Sequence, residues 1–254
     1  MEDSYNHPED GLAYIESNIP GIGIDETLFN TQPSISCDCK NKSCFENESC
    51  SCVKLYGVNF KNRLLVDNKL YSNSLIIECN SFCSCSLNCG NRLVQLGPRK
   101  GLVIFKDLNK GFGVKSEEII KSGSFICEYS GELIGKMEAK LRSKNNKDKM
   151  NFIFVLREFC NSNVLETIVD ATKIGNIGRY INHSCEPNSV ILPVRNDSVI
   201  PKLAIFAICD IQIDEEITYN YSGNDYFEAN QGTLCYCGST KCKHYLPCDK
   251  ELLI

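Results

Sequence analysis

A chain of 254 residues, 43% hydrophobic and 23% charged, can bury one sizeable core plus a smaller appendage, and this is not the composition of a disordered protein. Its net charge of −5 and pI near 5.4 weigh against strong direct nucleic-acid binding, which needs a dense Lys/Arg face, and suit a basic partner instead. Residues 1–10 are polar and acidic where a secretory signal is basic and then apolar, and no apolar run reaches about 18 residues, so an intracellular chain without a membrane partner is expected.

Seventeen cysteines in a reducing compartment imply metal ligation; the odd total and uneven clustering fit the alternative, a secreted disulfide scaffold, poorly. The first cluster is Cys37, Cys39, Cys44, Cys50 and Cys52, followed by Cys79, Cys83, Cys85 and Cys89. Structural zinc takes four thiolates, and nine do not divide by four. Three zinc ions need twelve thiolate positions, which nine cysteines supply if three of them bridge two metals each. Metal then stands in for a hydrophobic core in this small region.

From about residue 97 the pattern changes to short apolar runs, at 102–105, 125–134, 152–156, 164–169, 190–194, 203–208 and 216–221, separated by turn residues such as Ser122-Gly123 and Pro187-Asn188. A β-rich domain is predicted, not a βαβ one. One helix is expected at 136–144; the Lys/Arg-rich stretch through Lys149 reads as a solvated helix face and loop. There is no internal repeat and no low-complexity linker.

At the C-terminal end Cys235, Cys237 and Cys242 are one ligand short of a tetrahedron. Cys248 completes it by proximity, and Cys185, fifty residues upstream, is the rival. Cys127, Cys160 and Cys209 lie in or beside apolar strands and are expected to be buried thiols. His7 and His244 have no ligand-like spacing and are expected on the surface.

Three segments of the central region are the most informative: Gly111-Phe112-Gly113, Arg179-Tyr180-Ile181-Asn182-His183-Ser184-Cys185, and Glu216-Ile217-Thr218-Tyr219-Asn220-Tyr221. A glycine pair alone commonly serves a turn, and Asn-His-Ser-Cys alone fits a capped turn with a buried histidine. In this order, with nine cysteines before and Cys-x-Cys-x4-Cys after, the chain resembles the SET-domain lysine methyltransferases, over about residues 11–247. Its pre-SET, SET and post-SET order is similar to that of the subfamily acting on histone H3.

The resemblance implies a mainly β, β-clip-like SET fold of short strands with a pseudoknot, flanked by zinc-cysteine regions. The segments are 1–30, packing on the pre-SET region; 31–96, the pre-SET zinc cluster; 97–222, the SET domain; and 223–254, the post-SET zinc tail. It favours Cys185 as the fourth post-SET ligand, giving three zinc ions in the first cluster and one in the second. Lys110, Gly111, Phe112, Phe152, Arg179, Asn182, His183, Tyr221 and Tyr226 are then expected around S-adenosylmethionine, with Arg179 supporting the Asn182 segment and Asn182 lying beside Tyr221. Tyr226 and Cys235 come near the cofactor through the tail. Phe112 replaces the family's usual tryptophan, and Phe152 its usual tyrosine.

Tyr221 is the principal catalytic tyrosine by resemblance, with Tyr129 opposite it across a narrow lysine channel; both are alternatively half-buried strand aromatics. Tyr219 stands where the family uses phenylalanine or tyrosine to limit the number of methyl groups, so mono- and dimethylation are expected. The implied partner is the histone H3 tail or nucleosome, at lysine nine or thirty-six, which places the chain in the nucleus on chromosomes. A weak or silent SET scaffold that binds chromatin and a zinc-dependent nucleic-acid binder are the alternatives. Oligomeric state is not legible.

Overall fold

The computed structural model describes residues 5, 7–8, 11–72, 75–145, 152–160, 163–222 and 232–253. Asp107 accepts backbone N–H groups of Asn109 and Lys110 at 2.8 and 2.9 Å, and Gly111 follows at φ +81°, a conformation glycine adopts without penalty. This turn folds Leu102–Asp107 back on Gly111–Ser116 as an antiparallel pair. Glu216–Tyr219 adds antiparallel to Gly111–Ser116, and Asn182–His183 adds parallel to Glu216–Tyr219, with Asn182 opposite Thr218 and His183 opposite Tyr219. One four-stranded sheet therefore gathers all three motif segments.

A second sheet runs Ile153–Cys160, Asn163–Asp170, Glu132–Leu133, Ile19–Pro20, and a third runs Ile76–Ile77, Ser189–Arg195, Lys202–Ala207, Phe125–Glu128. The expected strand at 125–134 is two strands in different sheets. The chain crosses between them at Gly131, where a β-carbon would lie 2.5 Å from the Asp170 carbonyl oxygen. Residues 111–116, by contrast, form a strand that their glycines disguise in the sequence. The helix Lys136–Asn145 forms as predicted. Between the sheets lies one apolar core that includes Val114, Ile126, Tyr129, Val169, Ile181, Leu203, Ile205, Ile217 and Tyr219.

Residues 1–30, expected against the cysteine-rich region, pair in their described part with the central strands: Ala13–Tyr14 parallel to Ile174–Gly175, and Ile19–Pro20 parallel to Glu132–Leu133. Those short strands have open edges whose backbone groups need partners, and the N-terminal segment supplies them. Cys160 and Cys209 also depart from expectation: both are exposed, Cys160 at the end of its strand and Cys209 in the turn after Lys202–Ala207, and Cys127 alone of the three is buried. His7 packs between the rings of Tyr14 and Tyr180 at 5.9 and 5.8 Å instead of lying free on the surface; His244 is exposed.

Beyond the post-SET cysteines the tail returns to the central domain. Leu252 is buried with Ile134, Ala139 and Ile168, and Asp249 and Glu251 pair with Arg157 and Lys136 at 2.7 and 2.6 Å. No described helix is long and apolar enough to cross a membrane.

Candidate active site and metal sites

The nine N-terminal cysteines are all buried together, and the partly buried hydrophobic residues packed on them are Ile35 and Val53. Their sulfurs form overlapping sets within 4.8 Å: Cys37, Cys44, Cys79 and Cys85; Cys37, Cys52, Cys79 and Cys83; Cys37, Cys39, Cys44 and Cys50. Cys37 recurs in all three sets, and Cys44 and Cys79 in two each. Cys89 lies outside these sets but accepts backbone N–H groups of Cys44 and Asn91 at 3.3 and 3.4 Å. Such close thiols compete for protons: contact with neighbouring thiols pushes Cys79 up, and contact with Cys52 and Cys79 holds Cys83 down to about 2. Divalent metal removes that conflict by binding the deprotonated form, so the donor set fits zinc.

The second set is Cys185, Cys235, Cys237 and Cys242, also within 4.8 Å. Cys185, not Cys248, joins the C-terminal three. Backbone N–H groups of Lys243 and His244 donate to Cys185 and Cys242 at 3.4 Å each, a pattern suited to thiolates.

Around the tyrosines the strands converge. The Tyr219 ring lies 5.0 Å from Tyr221, 6.5 Å from Tyr129 and 5.8 Å from Phe154, and Tyr129 lies 5.8 Å from Phe154. Tyr129 donates its hydroxyl hydrogen to the Phe152 carbonyl at 2.7 Å, and Tyr221 donates its own to the Ile181 carbonyl at 3.0 Å. With each proton committed to a carbonyl, the lone pairs of both phenol oxygens are left to accept from a third group. Burial pushes all three phenols above their usual value, so none is a phenolate near neutrality.

Asn182 donates through Nδ2 to the Phe112 carbonyl at 3.0 Å and to Glu216 Oε1 at 2.8 Å, while Glu216 Oε2 pairs with Lys110. Arg179 is buried, donates to the Ala171 carbonyl at 2.9 Å, and lays its guanidinium 4.0 Å from the centre of the Phe152 ring. Phe112 meets Tyr180 edge-on at 6.1 Å. His183 accepts at Nδ1 from the Tyr221 N–H at 3.2 Å, and burial with nearby Lys243 lowers it to about 4, so the ring is neutral. Tyr221 thus brackets Asn182, bonded to the residues on either side of it. Open space stands over Gly111. Tyr226 lies outside the described residues.

Phe154 and Glu216 are the site residues that sequence reasoning missed. Phe154 carries a legible signal, two residues after Phe152 in the apolar run expected at 152–156; Glu216 opens a motif segment, but its contact with Asn182 spans 34 residues. A cleft of about 390 Å³ lined by Glu132, Glu138, Arg142, Asp170 and Lys173 is a separate feature. Arg142 pairs with all three of those carboxylates.

Residues 111–222 match the SET domain and residues 2–92 the Pre-SET motif. A probable histone-lysine N-methyltransferase of Caenorhabditis elegans, set-23, is 42% identical over 239 residues, covering 92% of this chain and 95% of that protein. The chain belongs to the SET-domain lysine methyltransferase family. Among SET-domain structures, the methyltransferase domain of human histone-lysine N-methyltransferase SETMAR superposes with a TM-score of 0.81 at 37% identity, covering 98% of this chain and 93% of that one. KRYPTONITE in complex with methylated DNA, an H3(1-15) peptide and S-adenosylhomocysteine gives a TM-score of 0.74 at 27% identity, covering 97% of this chain and 50% of that one. A histone-lysine N-methyltransferase of Schizosaccharomyces pombe described as H3 lysine-9 specific is 42% identical over 189 residues, covering 68% of this chain and 38% of that protein. The mainly β SET architecture with flanking cysteine clusters is thus the one expected from the motifs.

Proposed function

We propose that this chain transfers methyl groups from S-adenosylmethionine to lysine nine of the histone H3 tail, with lysine thirty-six the second candidate, making mainly mono- and dimethyl-lysine. The observation that carries the reading is the convergence of Tyr129, Tyr219, Tyr221 and Phe154 beside Asn182 and His183. The cofactor supplies an activated methyl on a sulfonium. What remains for the protein is a neutral, aligned amine, since free lysine, with a pKa of about 10.4, is protonated near neutrality. An aromatic channel disfavours the ammonium by desolvation. The phenol oxygens of Tyr129 and Tyr221 accept the two N–H bonds of the amine, which directs its lone pair to the remaining position. Burial raises these phenols and so disfavours a tyrosinate base, and in this reading the lysine ammonium gives its proton to water before transfer.

Lys110, Gly111, Phe112, Phe152, Arg179, Asn182, His183, Tyr221 and Tyr226 are the residues assigned to hold the cofactor. Phe112 and Phe152 each contribute a backbone carbonyl, to Asn182 and to Tyr129, which their departures from the family residues leave in place. That favours an active enzyme over a silent scaffold. Tyr219 adds a hydroxyl to the channel wall and reduces its room. Zinc is assigned to both cysteine sets: the nine N-terminal cysteines would hold three ions, and Cys185, Cys235, Cys237 and Cys242 would hold one, each tying distant parts of the chain together. The acidic chain and basic H3 tail are complementary, and the substrate places the enzyme at chromatin in the nucleus.

Tritium transfer from labelled S-adenosylmethionine to nucleosomes and H3 peptides tests the reading. Label is expected on a peptide carrying lysine nine, lost when that lysine is arginine and reduced about 100-fold in Tyr221→Phe. Equal labelling of the arginine-substituted peptide overturns the assignment.

A further inference from the structure

Three contacts converge on the His183 ring. Nδ1 accepts from the Tyr221 N–H at 3.2 Å. A ring nitrogen that accepts carries no hydrogen, so the N–H of this ring is on Nε2, which faces Cys185 Sγ at 3.3 Å. The same ring meets the Tyr221 ring edge-on at 5.3 Å.

We propose that His183 is a positioning residue that couples the post-SET metal site to the catalytic tyrosine, donating Nε2–H to the Cys185 thiolate and holding Tyr221 through Nδ1 and its ring face. The proposal rests on the reading of Tyr221 as catalytic. Four contacts hold Tyr221: its N–H on Nδ1, its ring against the imidazole, its ring beside that of Tyr219, and its hydroxyl on the Ile181 carbonyl. Two of the four pass through His183. As a metal ligand Cys185 is a thiolate, and a hydrogen bond to an anionic acceptor is stronger and more directional than one to a neutral thiol. With metal held by Cys185, the thiolate would orient the ring and the ring would orient Tyr221. Without it, Cys185 would be a weak acceptor and the ring would lose that restraint. In the other direction, the N–H donor steadies the thiolate, as outer-shell donors do at metal sites.

Three variants of the full chain separate these contacts. His183→Gln keeps an N–H near the position of Nε2; His183→Asn keeps only an acceptor near Nδ1; His183→Leu keeps neither. Cadmium-113 resonances of the metal-substituted protein and zinc release to a chromogenic chelator report on Cys185, and the split between kcat and KM for S-adenosylmethionine reports on Tyr221. In His183→Leu the resonance of the single-metal site is expected to shift while those of the nine-cysteine cluster stay. One zinc equivalent should leave about 10–100-fold faster, and kcat should fall by about 100-fold, more than KM rises. His183→Gln is expected to restore the resonance and slow release, and His183→Asn to restore neither.

A leucine variant with parental resonance and release overturns the donation to Cys185. Faster release with parental kcat overturns the link to Tyr221. If His183→Leu fails to fold, the glutamine and asparagine pair decides by the same release assay: equal rates overturn the donation. If the parent chain transfers no methyl, the proposed function fails, while the metal readouts still decide the Cys185 contact.

Discussion

Asn182 and Glu216 share a hydrogen bond of 2.8 Å that locks the Asn182 amide in one orientation, its other N–H bound reaching the Phe112 carbonyl. The other Glu216 oxygen pairs with Lys110, so one carboxylate aligns Asn182 with the residue that precedes the Gly111 segment.

Glu216→Ala is therefore expected to weaken binding of S-adenosylhomocysteine on the order of tenfold, the scale of one lost charge-assisted hydrogen bond. Glu216→Gln keeps an acceptor for Asn182 and should lose less. Calorimetric titration of both variants checks this, and equal affinity of Glu216→Ala and the parent contradicts it.

Four zinc ions per chain are expected by elemental analysis. The cysteine-rich region has metal where other domains have an apolar core, so exhaustive chelation should abolish amide protection across residues 37–92 and all methyl transfer. Because Cys79 recurs in two sulfur sets and Cys39 in one, Cys79→Ser should lose more zinc than Cys39→Ser.

Alkaline titration tests the buried phenols. Burial raises Tyr129, Tyr219 and Tyr221, so the folded state holds protons that the unfolded state releases near pH 10. Their contribution to stability is complete below that pH and is lost as pH rises through the raised folded values. Absorbance at about 295 nm should show these phenols ionising only as the fold is lost; all eleven tyrosines titrating together in folded protein contradicts the burial.

Tyr219→Phe removes one hydroxyl from a channel wall already crowded by Tyr129, Tyr221 and Phe154. Products are expected to move from mono- and dimethyl to trimethyl-lysine by mass spectrometry. An unchanged product distribution removes Tyr219 from this role.

By itself the sequence determined the features that depend on neighbours in the chain. Cysteine spacing marked both metal regions, apolar runs marked most central strands and the helix at 136–145, and three short segments marked the family. Each is a local pattern, set by side-chain period, turn chemistry or ligand spacing. Only the tertiary structure decided which cysteine completes the post-SET set, where the N-terminal strands pair, and that the strand expected at 125–134 divides between two sheets. It also brought Phe154 into the tyrosine cluster, Glu216 onto Asn182, and His183 between Cys185 and Tyr221. Most of these contacts join residues tens of positions apart. They exist because backbone edges and buried polar groups must find partners once the core excludes water, and local sequence does not specify which partner lies within reach.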